Sequence, residues 1–357
     1  MHVAINVTPL KSAHKNRGIG YYTYNLVENL KKDQSIIIST FSDTAEVKEA
    51  DIIHYPWFDF FFHTLPLRKI APTVVTIHDV IPFIFKEHYP VGIKGRINFL
   101  LQKVALKNCG AFITDSDTSK QDIVKHLKLE SKKVFSIPLA AEDRFKLLSD
   151  TKLLYAKRKL KLPDRYLLYV GDANWVKNIP FLIKAFKKLK NISSDMNDLK
   201  LVLVGGVFLK RVNNINHPEL ESLKLANKLI EGQGLEESIV RVGNLEQDEL
   251  VACYNLATVY VQPSFYEGFG LPVLEAFACG VPVVCSNGGS LPEVGGDAAL
   301  FFDPHNLDQC INLLREVLQN MSLREKLIKL GLKQAEKFSW QKVLDDTKAV
   351  YMKTLMR

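Results

Sequence analysis

Residues 264–289, SFYEGFGLPVLEAFACGVPVVCSNGG, place two acidic side chains around a glycine-rich turn. Glu267 stands directly before Gly268-Phe269-Gly270, and Glu275 follows with seven residues between the two acids. A carboxylate accepts hydrogen bonds from two adjacent hydroxyls at once, so acids at these positions suit the diol of a sugar or a ribose. The residue types alone leave a second interpretation open, a surface loop that carries two solvated acids.

The glycine turn is expected to present bare backbone at the start of a helix. The apolar run VYVQP, residues 259–263, predicts a buried strand ended by proline, and the following LPVLEAFAC predicts a helix with Pro272 in its first turn. Unpaired backbone N–H groups and the helix dipole at such a start attract an anion such as a diphosphate. With Glu275 on a ribose diol and Glu267 on the hydroxyls of a second sugar, the stretch predicts a site for a nucleotide diphosphate sugar.

The E-x7-E arrangement within PSFYEGFGLPVLEAFACGVPVV resembles the signature of the retaining, Leloir-type glycosyltransferases of family 4, whose fold is called GT-B. The resemblance is most specific between Glu267 and Gly289, and weaker motifs extend it from near residue 3 to near residue 340. It implies two Rossmann-like domains that face a central cleft, with the backbone of Gly268, Phe269, Gly270 and Leu271 at the donor phosphates.

The resemblance also implies chemistry without a cofactor. The nucleotide diphosphate sugar is a substrate, and no metal is obligatory. The departing diphosphate helps to take the acceptor proton in such enzymes, so no protein nucleophile is expected.

Two residues outside this stretch stand where predicted strands end. His78 closes the apolar run TVVTI, and the resemblance implies that it contacts the donor sugar, with Asp79 orienting it or capping the following turn. A purely structural histidine is the alternative. Lys177 lies between a strand and the next helix, where its charge would neutralise the diphosphate, unless it is an ordinary surface lysine.

The basic side of the predicted diphosphate site departs from the family pattern. Related enzymes often carry an arginine after the glycine of the strand YLLYVG, and Asp172 occupies that place here. Arg241 or Arg211 would then have to supply the second basic contact. By resemblance, the strand end around Gly243 lies against the nucleotide base, where backbone groups would read it, so the identity of the base is not predicted.

A further glycine pair follows the first predicted strand. Gly18 and Gly20 belong to NRGIG, which opens a helix as a dinucleotide fingerprint does, but Thr23 stands where that fingerprint has its third glycine. Asp43 follows the second strand and keeps a nicotinamide cofactor open as an alternative. The resemblance implies instead that the glycine turn faces the diphosphate or the acceptor across the cleft, and a plain tight turn is the third interpretation.

Strand-like apolar runs alternate with helical patterns along the chain, which predicts an α/β protein of parallel sheets with crossover helices. The alternation pauses in a charged join over about 140–163 and starts again at RYLLYVGD. We therefore expect two Rossmann-like domains, 1–145 for the acceptor and 146–340 for the sugar nucleotide, with ligands beyond the carboxyl ends of the strands. An amphipathic helix over 341–357 is implied, by resemblance, to cross back to the first domain.

The composition fits a globular enzyme, with 357 residues of which 47% are hydrophobic. The net charge of +8 suits an anionic ligand or an anionic lipid surface, and no zinc-finger or RNP-like motif directs it to nucleic acid. Five scattered cysteines without a CxxC pair are expected to be reduced and buried. Without a signal peptide or a membrane-spanning run, we expect a cytoplasmic protein, peripheral on the inner face of the membrane if its acceptor is lipid-linked.

The run YPWFDFFF, residues 55–62, is rich in aromatic residues, and Lys94, Arg96, Lys103 and Lys107 lie on a helix predicted further along the chain. Aromatic and basic groups together suit a lipid-linked acceptor at a membrane interface. The alternative is that the aromatic residues fill the core of the first domain.

Together these features predict a retaining glycosyltransferase that moves a hexose-type sugar from a nucleotide diphosphate donor to a hydroxyl of a glycan or lipid-linked acceptor, in surface polysaccharide or glycolipid assembly. The motif HDVIPFIFKEHYP resembles mannosyltransferases that act on surface polysaccharides. Two other classes stay open. A sugar-nucleotide epimerase of the same fold would release free sugar or an epimer without an acceptor, and a non-catalytic nucleotide-sugar-binding subunit of a glycan-assembly complex is made conceivable by Asp172.

Overall fold

The structure, a computed structural model, describes residues 1–12, 15, 18–210 and 218–356. The chain divides into two compact units, Met1–Leu139 with Ser339–Arg357, and Ala140–Phe338. Each unit contains a hydrophobic core of its own.

The sheet of the first unit consists of six short strands: β1 His2–Asn6, β2 Ile37–Phe41, β3 Ile52–Tyr55, β4 Thr73–Thr76, β5 Ala111–Thr114 and β6 Val134–Ser136. They lie in the order β2-β1-β3-β4-β5-β6, and every neighbouring pair is parallel. Strands β3, β4 and β5 are buried along their whole length, as expected of a parallel sheet that is covered on both faces.

Among the residues that the structure describes, five helices accompany this sheet: α1 Gly18–Leu30, α2 Ile81–Ile84, α3 Ile93–Lys107, α4 Asp117–Leu127 and, from the C-terminal segment, α13 Trp340–Leu355. Helix α13 packs against α1, β4 and β5. Its buried Tyr351 forms a 2.7 Å hydrogen bond between its hydroxyl and Nδ1 of the buried His54. The prediction that the C-terminal helix crosses back to the first domain is therefore confirmed.

The aromatic run at residues 55–62 lies mostly in the core of the first unit. Tyr55, Phe58 and Phe60 are buried, and the ring of Phe60 packs edge-to-face against Phe83 at 4.8 Å between centroids. Phe62 alone among these four is exposed. The interpretation of the run as core aromatics is thus the correct one for most of its length.

The second unit repeats the design with β7 Tyr166–Val170, β8 Lys200–Val204, β9 Ile239–Val242, β10 Val259–Gln262, β11 Val283–Ser286 and β12 Ala299–Phe302. The order is β12-β11-β10-β7-β8-β9, again parallel throughout. Strands β7 and β10 are neighbours, so the loops that follow them meet at the carboxyl edge of the sheet.

The described part of this unit contains eight helices: α5 Asp150–Leu160, α6 Ile179–Lys190, α7 Glu221–Gly232, α8 Gln247–Asn255, α9 Leu271–Ala278, α10 Leu291–Gly295, α11 Leu307–Gln319 and α12 Met321–Ala335. The charged join predicted over 140–163 contains helix α5, which is a correction. All five cysteines of the chain are buried and free, as expected. Within the described ranges, no helix is both long enough and apolar enough to pass through a membrane.

Candidate active site

Glu267 is buried in the loop that joins β10 to α9. Its Oε1 accepts hydrogen bonds from Nε2 of Gln262 at 2.7 Å and from Oγ of Ser264 at 2.5 Å. The ammonium of Lys177 lies 2.9 Å from Oε1 and 2.8 Å from Oε2, so the two side chains form an ion pair. Charge-assisted bonds of this kind are strong and directional, and they fix the orientation of the carboxylate.

Lys177 reaches Glu267 because the loop after β7 is tied to the loop after β10. Lys177 ends a single 3₁₀ turn, and Asn178 leads from it into α6 with a left-handed backbone, φ 54°. The buried Nδ2 of Asn178 donates to the carbonyl oxygens of Pro263 and Pro304, each at 3.1 Å. Both residues of the ion pair were predicted as site residues, but the pairing itself was not.

Residues 287–290 support Glu267 from the neighbouring loop. Oγ of Ser290 donates to the carbonyl oxygens of Glu267, at 3.0 Å, and Phe269, at 2.7 Å. Gly289 has φ 64°, and a Cβ added there would lie 2.3 Å from the carbonyl oxygen of Glu267. A Cβ at Gly288 would meet the carbonyl oxygen of Phe265 at the same distance. This loop therefore acts as structural support.

The four residues predicted at the donor phosphates are consecutive and end at a helix start. The turn Gly268-Phe269-Gly270 follows Glu267 directly. Leu271 is the first residue of α9, and Pro272 is the second. Gly270 has φ 109°, a conformation that favours glycine, and Phe269 is buried. The structure thus brings this backbone segment together with the Lys177–Glu267 ion pair.

Glu275 lies on the second turn of the same helix, partly buried beside Tyr254 of α8. The tyrosine hydroxyl donates to Oε2 of Glu275 at 2.7 Å. Burial raises the pKa of Glu275 to about 7; the Tyr254 hydrogen bond opposes this, and the nearby Glu142 carboxylate adds to it. A diol donating to Glu275 would favour the ionised form, so such a ligand should lower this pKa again.

In the second unit, a glycine also follows each of the three neighbouring strands β7, β8 and β9. These are Gly171 after β7, Gly205 after β8 and Gly243 after β9. A Cβ at Gly205 would lie 2.3 Å from the carbonyl oxygen of Gly171, so the two strand ends are in close contact. Gly243 shares the carboxyl edge of the sheet with Glu267 but lies three strand spacings away, roughly 14 Å at about 4.8 Å each. An extended ligand could contact both.

Among the described residues, the predicted second basic contact is not found beside Glu267. Nη2 of Arg241 donates instead to Oδ1 of Asn227 on α7, at 3.2 Å, and Arg211 lies outside the described residues. The carboxylate of Asp172 is engaged within its own loop, where its Oδ1 accepts a hydrogen bond from the backbone N–H of Ala173 at 2.8 Å. Of the predicted basic contacts, the structure places Lys177 at the ion pair.

In the first unit, His78 follows β4 and has both ring nitrogens next to acceptors. Nδ1 lies 2.7 Å from Oδ2 of Asp115, and Nε2 lies 3.2 Å from the carbonyl oxygen of Pro56. Burial lowers the pKa of His78, but the charge and hydrogen bond of Asp115, the charge of Asp79 and the Pro56 carbonyl together raise it above its ordinary value. These contacts favour an imidazolium that donates from both nitrogens.

The residue that orients His78 is thus Asp115, which follows β5, whereas Asp79 caps the next turn by accepting from the backbone N–H of Ile81 at 3.0 Å. Both roles were open for Asp79 from the sequence. Oδ1 of Asp115 is buried and has no hydrogen-bond partner among the described residues. Asp115 escaped prediction because nothing in its local sequence links it to a histidine 37 positions earlier.

Gly18 and Gly20 lie in the first turn of helix α1 and do not form a separate tight turn, which corrects that alternative. Thr23 is fully buried, and its hydroxyl donates to the carbonyl oxygen of Ile19 at 2.8 Å. Asp43 caps the 3₁₀ turn that follows β2. Residues 16 and 17 of the NRGIG motif lie outside the described residues. In the described part of the chain, no three His, Cys, Asp or Glu side chains are arranged to hold a metal ion.

Comparisons with known proteins agree with this architecture. The family model described as "Glycosyl transferases group 1" matches residues 151–334, and "Glycosyltransferase Family 4" matches residues 36–142. The O-antigen chain mannosyltransferase B of Escherichia coli is 33% identical over 301 residues, which cover 82% of this chain and 74% of that protein. Other curated relatives are longer, and the chain spans about a third of their length.

Two solved structures show the same fold over nearly the whole chain. Sucrose-phosphate synthase from Thermosynechococcus elongatus has a TM-score of 0.76 at 18% identity, covering 99% of this chain and 98% of that chain. Anabaena HepE in complex with UDP and glucose has a TM-score of 0.74 at 14% identity, covering 98% of each chain.

The two six-stranded parallel sheets and these structural neighbours define a protein of the GT-B class. The chain belongs to the group 1 glycosyltransferase family, whose model matches more than half of it, and it is a glycosyltransferase that resembles bacterial mannosyltransferases. The family prediction made from the E-x7-E motif is confirmed.

Proposed function

We propose that this protein is a retaining, metal-independent hexosyltransferase that transfers mannose from a nucleotide diphosphate donor to a hydroxyl of a surface glycan or its lipid-linked precursor. The observation that carries the proposal is the buried Lys177–Glu267 ion pair immediately before the Gly268–Leu271 backbone, with Glu275 on the same helix. The relative from Escherichia coli, named as an O-antigen mannosyltransferase, and the UDP and glucose bound to HepE support the donor and sugar class.

In this proposal Glu267 binds hydroxyls of the transferred sugar and does not act as a nucleophile. Three protein donors already converge on its Oε1, so the lone pairs of that oxygen are engaged, and the sugar hydroxyls are bound by Oε2, which Lys177 also contacts. Lys177 adds positive charge beside the diphosphate, but Glu267 offsets much of that charge. The start of α9 must therefore contribute a large share of the electrostatic stabilisation of the leaving group.

The remaining roles follow the family resemblance. Glu275 binds the ribose diol, Gly243 approaches the base, and Gly18 and Gly20 face the diphosphate or the acceptor. His78, as an imidazolium held by Asp115, donates to a hydroxyl of the sugar, which requires its Nε2–H to be shared with or released from the Pro56 carbonyl oxygen.

The proposed transfer retains the configuration at the sugar's anomeric carbon. The bond from that carbon to the diphosphate breaks as the acceptor oxygen bonds on the same face, and the acceptor proton passes to the departing diphosphate. No residue of the protein enters a covalent intermediate, and the protein contributes binding, orientation and charge.

Turnover of nucleotide diphosphate sugars by Glu267→Gln tests the proposal, with Glu325→Gln on the exposed surface of α12 as the matched control. Loss of charge-assisted bonds worth about 1.5–3 kcal/mol should lower kcat/KM roughly tenfold to a hundredfold. The control should keep wild-type turnover, and NMR of the product should show the donor's anomeric configuration.

Full turnover by Glu267→Gln, or an inverted product, would contradict the proposal. Release of an epimer without an acceptor would instead indicate an epimerase. Nucleotide binding without any turnover would indicate a binding subunit.

A further inference from the structure

Helix α3 of the first unit exposes an unusually apolar face. Five of its large hydrophobic side chains are accessible to solvent, although the helix is packed against the core on its other side. They are Ile93 at 80% exposure, Ile97 at 54%, Leu100 at 63%, Leu101 at 42% and Val104 at 52%. A soluble helix normally carries polar residues at such positions.

These five positions form one stripe on the outer side of the helix. At 3.6 residues per turn they fall within about 100° of its circumference, opposite the buried Gln102, Ala105 and Leu106. The side chain of Gln102 accepts from the backbone N–H groups of Thr64, at 3.0 Å, and Leu65, at 2.8 Å. A polar residue therefore anchors α3 inward while its apolar residues point outward.

All charged residues of α3 are basic: Lys94, Arg96, Lys103 and Lys107. At 100° per residue, Lys94 flanks one edge of the apolar stripe and the other three flank the opposite edge. The wider segment 60–110 contains seven Lys or Arg against two Asp or Glu. The stripe thus lies in a band of positive charge.

Phe62 extends the apolar surface beside the helix. Its side chain is 68% exposed, and it follows Phe61, whose carbonyl oxygen accepts from Nδ2 of Asn98 on α3 at 2.9 Å. An exposed aromatic residue next to an apolar stripe with basic edges is typical of a surface that enters the headgroup region of a bilayer.

We propose that the outer face of α3, with Phe62, binds the surface of an anionic lipid bilayer. The apolar stripe enters the boundary between headgroups and acyl chains, and the lysine and arginine side chains extend to the lipid phosphates on both sides of it. A protein partner would need an acidic rim around an apolar groove, whereas an anionic bilayer supplies both features everywhere on its surface. The inference does not depend on the proposed transfer chemistry.

Flotation of the 357-residue chain with vesicles tests this surface. Vesicles of equal parts phosphatidylglycerol and phosphatidylcholine should carry the wild-type protein, pure phosphatidylcholine vesicles should carry much less, and added salt should weaken binding. Ile97→Ser with Leu100→Ser should lower the partition coefficient on the order of tenfold or more. The matched control is Leu225→Ser with Met321→Ser, which changes two exposed apolar residues of the second unit and should leave binding unchanged.

Two outcomes would overturn the inference: no flotation of the wild type with anionic vesicles, or equal flotation of the stripe variant. If light scattering shows instead that the wild type is a dimer, does not bind vesicles, and is made monomeric by the stripe variant, the occupant is a second copy of the chain and the lipid assignment is wrong. Nucleotide binding, measured on the same variants, should be unaffected, so a failure here is distinguishable from a failure of the proposed function.

Discussion

At the scale of single residues, the site is built from side chains that form hydrogen bonds with one another. Lys177, Gln262 and Ser264 all donate to Glu267. The spacing of the two acids and the glycines predicted Glu267 and Glu275 as site residues from sequence alone. The partners of Glu267 could not be inferred in the same way, because Lys177 is 90 positions away and meets Glu267 through the adjacency of β7 and β10.

The raised pKa of Glu275 makes the folded protein lose stability as the pH rises. Its folded-state pKa of about 7 lies above the ordinary value of 4.5, so the folded protein holds an extra proton between these pH values. The stabilisation from this proton is complete below about pH 4.5 and is lost as the pH rises through 7. From the size of the shift it amounts to no more than roughly 3 kcal/mol, and less in proportion to the solvent exposure of the side chain.

Urea unfolding at pH 5, 6.5 and 8 measures this effect. The wild type should lose stability toward pH 8 relative to Glu275→Gln, whose amide does not titrate, while Glu325→Gln should follow the wild type. Parallel pH dependence of the wild type and Glu275→Gln would show that the raised pKa of the partly buried Glu275 has been wrongly assigned.

At the scale of elements, periodicity predicted the strands and most helices because their apolar residues are buried in a regular pattern. Helix α9 begins as predicted, with Pro272 in its first turn. Helix α5 was missed, since Ala156 is its single buried residue and its apolar face is correspondingly weak.

The loop between β11 and α10 should be intolerant of any side chain at Gly289. Alanine there adds a Cβ only 2.3 Å from the carbonyl oxygen of Glu267, in addition to the strain of φ 64°. Gly234 is a matched control, because it has φ 62° but nothing within 4 Å of an added Cβ. We expect Gly234→Ala to cost about 1 kcal/mol and Gly289→Ala roughly 3 kcal/mol or more in free energy of unfolding.

Urea denaturation of both variants checks this prediction, and nucleotide affinity should fall in Gly289→Ala because Glu267 is displaced. Equal costs for the two substitutions would mean that the 287–290 loop yields easily and does not hold Glu267 in place.

At the scale of the whole molecule, the two-fold repetition of the strand and helix pattern predicted two parallel-sheet units from sequence. The position of α13 in the first unit was predicted only from the family resemblance, because His54 and Tyr351 are 297 positions apart and no local pattern joins them. The sequence also did not reveal that the apolar stripe of α3 faces solvent. An amphipathic pattern shows that a helix has an apolar side, but it does not show which side packs against the core.

The most direct test of the central claim is a thermal-shift panel of UDP, GDP, ADP, CMP and NAD, each with and without magnesium, on the wild type and on Lys177→Met. A ligand that binds the folded protein raises its unfolding temperature by mass action. We predict a shift with one nucleoside diphosphate, independent of magnesium and reduced in Lys177→Met. A shift with NAD alone, or a nucleotide shift unchanged in Lys177→Met, would contradict the assignment of the Lys177–Glu267 loop as the site for a nucleotide diphosphate sugar.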